Sequence, residues 1–339
     1  MDLSSRNYQW LRKLVLLGAI LALCVVVLGA YVRLTDAGLG CPDWPGCYGE
    51  LTVPESEAAI LSAQTAYPHS TIEVGKAWRE MAHRYLAGTL GLIVLAIFVL
   101  GWRAKYEIRT SVWVPTFLVI LVAFQALLGM WTVTMLLKPA IVSSHLLGGM
   151  TTLAVLTWLA HRHWGKYSES IQLSNRLKLA IRFALLILFM QIFLGGWTST
   201  NYAALACTDF PTCHGVLIPE MDFKDAFHLV RDLGQSADGG VLTLASITAI
   251  QWTHRVGALI TLIYLGILAL NVLKYQPLKW LGIALVAALL AQISIGIANL
   301  ILHLPLVLAV AHNFGAAILV VILVTLNSKI TTSDLVDIK

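Results

Sequence analysis

Eight apolar runs of about 20 residues or more recur along the 339-residue chain, at about 14–34, 82–103, 112–136, 140–160, 178–200, 251–273, 279–301 and 305–327. Each is long enough to cross roughly 30 Å of hydrocarbon as a helix rising about 1.5 Å per residue. Composition agrees: 58% of residues are hydrophobic and 12% charged, against roughly 45–50% and 25% in soluble domains. The chain therefore reads as an all-α polytopic membrane protein in contact with membrane lipid. A soluble enzyme, a nucleic-acid binder and a secreted disulfide mini-protein are excluded.

An even number of spans puts both termini on one side. Arg6, Arg12 and Lys13 stand just before the first span and no small cleavable stretch follows it, so the positive-inside rule places the N-terminus in the cytoplasm with the first helix retained. The inner segments then collect Arg103, Lys105, Arg109, Arg162, Lys166, Arg176, Lys178, Lys274, Lys279, Lys329 and Lys339 as well. The outer loops, 35–81 and 201–250, hold Asp36, Asp43, Glu50, Glu55, Glu57, Glu73 and Glu80, and Asp209, Glu220, Asp222, Asp225, Asp232 and Asp238. No carboxylate is left for the hydrocarbon, which argues against a carboxylate-based proton or cation pump.

The sequence repeats. Residues 28–47 (LGAYVRLTDAGLGCPDWPGC) lie over 194–213 (LGGWTSTNYAALACTDFPTC) without a gap, eight positions are identical, and Tyr31/Trp197 and Trp44/Phe210 keep an aromatic ring. An offset of 167 brings Gln125-x-x-x-Gly129 onto Gln292-x-x-x-Gly296 and His145 onto His312; an offset of 171 brings His83-Arg84 onto His254-Arg255. We expect two tandem four-helix bundles related by a pseudo-two-fold axis along the membrane normal. Their bounds are a cytoplasmic N-terminus 1–13, a first unit 14–162, an inner linker 163–177, a second unit 178–327 and a cytoplasmic tail 328–339.

The repeat selects His83, His145, His254 and His312 from ten histidines, each in the first turns of a span entering from the outer side. One intramembrane histidine commonly hydrogen-bonds between helices. Two facing each other in each bundle suit axial ligation of one haem per unit. Arg84 and Arg255 either pair with a haem carboxylate or snorkel to the interface. Small residues after the histidines (Gly88, Gly91, Gly148, Gly149, Gly315) either admit a flat macrocycle or pack helices. The remaining histidines, His161 and His163 among them, read as solvated, and Cys24 as packing.

Cys41-Pro-Asp-Trp-Pro-Gly-Cys47 and Cys207-Thr-Asp-Phe-Pro-Thr-Cys213 face the oxidising side, where each pair closes a disulfide ring, either a staple or a redox-exchanging pair. The two units differ beside the first histidine. Glu80 precedes His83 by three residues on one helical face, and Gln251 stands at the matching place before His254. The first unit thus reads as the chemical site and the second as a permanent cofactor site.

In combination these residues resemble the heme A synthases of bacterial and mitochondrial inner membranes: the eight spans, the Glu80–Arg84 segment (E-x-x-H-R), His145, His254-Arg255, His312 and the outer cysteines, together covering about 14–327. The resemblance implies oxidation of the heme O C8 methyl to the formyl group of heme A through successive hydroxylations. It implies substrate heme at His83 and His145, a heme b cofactor at His254 and His312, and a functional acid at Glu80. Heme O synthase upstream, an unidentified electron carrier and a homo-oligomer are the partners expected. The rivals are a di-heme b-type electron carrier and a membrane thiol-disulfide oxidoreductase.

Overall fold

Long runs of apolar side chains, with every backbone group having to be satisfied internally, leave the helix as the element available to this chain in lipid. The structure, a computed structural model, describes residues 3–103, 111–164, 171, 173–236 and 239–336. In chain order the α-helices among them are α1 (Leu3–Leu34), α2 (Glu57–Ala66), α3 (Val74–Arg103), α4 (Trp113–Thr134), α5 (Pro139–Trp164), α6 (Asn175–Thr200), α7 (Phe223–Ala226), α8 (Leu244–Val272), α9 (Lys279–Ile301) and α10 (Leu306–Val336). Eight of them, all but α2 and α7, are long and apolar enough to cross a membrane. Lys105, Arg109, Lys166, Asp238 and Lys339 lie outside the described residues.

Helix starts follow local chemistry. Ser174 accepts from the backbone N–H of Leu177 at 3.3 Å and Thr243 from Ser246 at 3.2 Å, each satisfying an otherwise orphaned first-turn donor. Two starts differ from the sequence expectation: α3 begins at Val74 and not near 82, and α8 at Leu244 and not near 251. Their first two turns carry polar residues that hydropathy rejects, and these turns dock on the loops described below. His83 and His254 consequently sit in the third turns of their helices. Glu80, placed in the loop 35–81 by the span bounds and on the helical face of His83 by its spacing, is a buried helical residue of α3.

Helix α1 packs on α3 and α5, with α4 closing the ring between α3 and α5; likewise α6 packs on α8 and α10, with α9 closing between α8 and α10. The rings meet where α5 lies against α6 and α10, and α1 against α10, around one apolar core that includes Leu153, Leu156, Leu188, Leu265 and Leu323. Polar contacts fasten this seam at both ends. At one end, Arg33 donates to the Ser199 carbonyl (2.8 Å), its guanidinium lies 4.4 Å from the Tyr202 ring centroid, and Lys138 pairs with Asp232 (3.0 Å). Both cysteine loops are therefore at that end.

At the other end, within the rings, Trp164 Nε1 donates to the Arg12 carbonyl (2.8 Å) and Asn327 to that of Ile181 (3.1 Å), while across the seam α5 bonds to α10. His161 hydrogen-bonds Thr325 (2.7 Å), and His163 is buried edge-on against Tyr8 (5.7 Å). These two histidines were expected to be solvated; their partners stand on distant helices that local sequence does not reveal. Cys24, expected to serve in packing, is exposed.

Candidate functional site

The cysteine loops are built alike. Cys41 is bonded to Cys47 and Cys207 to Cys213, and all four residues are essentially inaccessible. After each ring the chain reverses through a two-residue turn with both central residues left-handed, Tyr48-Gly49 (φ +56°, +82°) and His214-Gly215 (φ +55°, +80°). That conformation favours glycine at the second place. An aspartate inside each ring caps the turn. Asp43 accepts from the N–H groups of Tyr48 and Gly49, both at 2.7 Å, and Asp209 from those of His214 (2.8 Å) and Gly215 (2.9 Å). The Thr212 hydroxyl and these N–H groups hold the Asp209 carboxyl well below the usual carboxylate range. Asp43 and Asp209 were among the repeat identities, yet their role is visible only in the folded loop. Burial pushes the Tyr48 phenol up, with Glu80, Asp43 and Glu73 adding to it.

Each loop is clamped onto a histidine-bearing helix. In the first ring Glu80 accepts from the Cys41 N–H (3.0 Å) and pairs with Arg84, whose guanidinium also donates to the carbonyls of Asp43 (2.8 Å) and Gly46. In the second, Gln251 accepts from the Cys207 N–H (2.8 Å) and donates to the Ala204 carbonyl (2.6 Å), while Arg255 donates to the carbonyls of Thr212 and Cys207 (2.9 Å each). The arginines that sequence offered to a haem carboxylate thus have loop carbonyls as partners. The position pair Glu80/Gln251 keeps one hydrogen bond in common and differs by a charge.

Directly beneath lie the histidines, each half-buried. The rings of His83 and His145 face each other with centroids 6.5 Å apart and planes at 84°. Two imidazoles on opposite sides of one metal, with bonds of about 2.0–2.1 Å and centroids about 1.1 Å behind the ligating nitrogens, stand about 6.3 Å apart. His312 lies within electrostatic reach of His254 in the second ring. Among the described residues Nδ1 of His145 is buried without a hydrogen-bond partner, and the backbone carbonyls of Val25 and Gln292 lie toward the rings of His83 and His312. Among the described residues no three His, Cys, Asp or Glu gather as a metal site. Paired imidazoles without further ligands fit a metal whose remaining positions a macrocycle fills.

Every one of these rings rests on a glycine of the neighbouring helix. A Cβ placed at Gly29 would stand 2.9 Å from His83 Cε1, at Gly129 3.5 Å from His145, at Gly195 3.2 Å from His254 and at Gly296 3.0 Å from His312. Of the glycines flagged after the histidines, Gly148 and Gly315 receive glutamine side chains, Gly91 and Gly149 pack against valines, and Gly88 faces open space.

Residues 12–324 match the COX15-CtaA family, described as cytochrome oxidase assembly protein. The chain is 45% identical to a heme A synthase of Shewanella oneidensis over 320 residues, covering 94% of this chain and 95% of that protein. It is 28% identical to a heme A synthase of Caulobacter vibrioides (90% and 91% covered) and 26% identical to one of Halalkalibacterium halodurans (91% and 94% covered).

Proposed function

The chain belongs to the COX15-CtaA family of cytochrome oxidase assembly proteins, and from that premise we propose that it acts as a heme A synthase, oxidising the C8 methyl of heme O to a formyl group. Substrate heme is held in the first ring by His83 and His145, and heme b in the second by His254 and His312. The observation that carries this reading is the facing imidazole pair of the first ring, 6.5 Å apart, with a carboxylate one turn away at Glu80 where the second ring has the amide of Gln251.

Heme b, when bound, supplies one-electron chemistry to the second site. The protein's own part is positional and electrostatic. His83 and His145 orient the macrocycle, and Gly29 and Gly129 let the Cε1 edges of the two imidazoles approach the neighbouring helices closely. Glu80, held by Cys41 N–H and paired with Arg84, places a carboxylate one turn from His83, where oxidation of a methyl develops positive charge and releases protons. The clamped disulfide loop caps this end of the bundle and limits water. Burial of all four loop cysteines favours a staple over thiol exchange, which needs an accessible sulfur.

In the same reading the rings are tandem copies of one unit, the cysteine loops face outward and both termini face the cytoplasm. Heme O synthase upstream and an electron carrier are the partners. The test is ligand substitution: His254→Ala or His312→Ala removes the tightly bound heme b, whereas His83→Ala or His145→Ala retains heme b and forms no heme A. Unchanged heme content and spectra in the second-ring variants would refute the assignment.

A further inference from the structure

Three of the four histidines have a glutamine beside them, built the same way. A glutamine one turn before the glycine that supports the ring reaches across to a second glycine, three residues after the histidine. Gln125 meets Gly148 beside His145, Gln191 meets Gly257 beside His254, and Gln292 meets Gly315 beside His312; a Cβ on any of those glycines would stand 1.7–2.3 Å from the amide. The arrangement is missing only at His83. There Val25 occupies the place of Gln191 and Leu86 that of Gly257, so amide and cleft are replaced together. Gln191 also makes the most direct contact: its amide nitrogen donates to the His254 carbonyl (3.1 Å) and lies 3.0 Å from Nδ1 of the ring. Among the described residues its buried oxygen has no hydrogen-bond partner. A half-turn of the amide exchanges oxygen and nitrogen and trades the bond to the His254 carbonyl for acceptance from Nδ1–H when the other ring nitrogen is engaged. Val25 offers His83 only a backbone carbonyl.

We propose that Gln191 is a positioning residue that locks His254 for permanent heme ligation, and that its replacement by Val25 with Leu86 withholds this side-chain brace from His83, making the first site the more exchangeable of the two, as a site that admits substrate and releases product requires. This rests on the reading of the second ring as the heme b site. Partners that fix a ligating histidine's tautomer and orientation are worth roughly 10–100-fold in affinity and raise the basicity of the ligand.

The experiment follows heme transfer from the purified holoenzyme to an excess of apo-globin, with the midpoint potential of the retained heme as a second readout. The wild type loses heme in a fast and a slow phase, the slow one from the second ring. Gln191→Met keeps the volume and removes the hydrogen bonds; it accelerates the slow phase about tenfold or more and raises the midpoint potential. The double variant Val25→Gln with Leu86→Gly builds the brace at His83 and slows the fast phase by a similar factor. A slow phase and potential both unchanged in Gln191→Met would overturn the inference, and that variant alone decides if the double variant does not fold. A slow phase that survives His254→Ala would instead overturn the assignment of the heme b site.

Discussion

Replacing Glu80 by glutamine separates the charge of this residue from its structural contacts. Glu80 accepts from Cys41 N–H at 3.0 Å and pairs with Arg84, both side chains being almost wholly buried. The second ring shows what an amide can keep: Gln251 accepts from Cys207 N–H at 2.8 Å with its loop fully docked. Arg84 would still donate to the carbonyls of Asp43 and Gly46. One acceptor is lost, because Oε2 of Glu80 accepts from Cys41 N–H and Oε1 from Arg84 while an amide has one oxygen; with Arg84 deprived of its counter-ion the cost is about 2–4 kcal/mol of stability. The expected loss in rate is roughly 10²–10³-fold, or about 3–4 kcal/mol in the barrier, too much for a slightly loosened loop to explain. Glu80→Ala serves as the contrast, because it leaves the Arg84 charge and Cys41 N–H without their acceptor and costs about 3–5 kcal/mol. The assay expresses each variant beside the heme O-forming enzyme, measures thermal unfolding, and separates the extracted hemes. Glu80→Gln should fold, bind heme and accumulate heme O or partly oxidised product. Heme A at wild-type levels in this variant would refute the electrostatic role.

Further outcomes follow from the same contacts. Peptide mapping without reduction should find Cys41 linked to Cys47 and Cys207 to Cys213; linkage across the loops would contradict the fold of this end. Asp43→Ala, which strips the acceptor from two turn N–H groups, should lower stability by about 2–3 kcal/mol in thermal or denaturant unfolding, and an unchanged midpoint would argue against the capping role. Because the Asp209 carboxyl is depressed in the folded loop, its contribution is complete above the ordinary carboxylate value of about 3.9 and is lost only as pH falls through the lower folded value. Amide-exchange protection at His214 and Gly215, corrected for intrinsic rates, should therefore stay level from pH 7 to about 4.5. A fall in protection within that range would contradict it.

The spans were legible because hydrocarbon demands a long apolar run, and the histidines because duplication wrote their places twice. The starts of α3 and α8 were not, since their first turns lie against loops and not lipid, and the residues that bind those loops are polar. The partners of Arg84 and Arg255 lie about 40 residues away in sequence; no local periodicity encodes such a contact, although the paired offsets of Asp43/Asp209 and Arg84/Arg255 were a signal that the two are used together. The glutamine braces were visible as repeat markers at Gln125 and Gln292. Their meaning needed the glycine clefts, which only the packed helices reveal.

The central claim is tested most directly by identifying the hemes that the purified wild-type protein carries when heme O is supplied. The account predicts heme b together with heme O, heme A or a hydroxylated intermediate, with His254→Ala removing heme b and His83→Ala removing the substrate-derived heme. Heme b alone, at two equivalents per chain and with no substrate-derived heme under any supply, would contradict it and leave an electron carrier in its place.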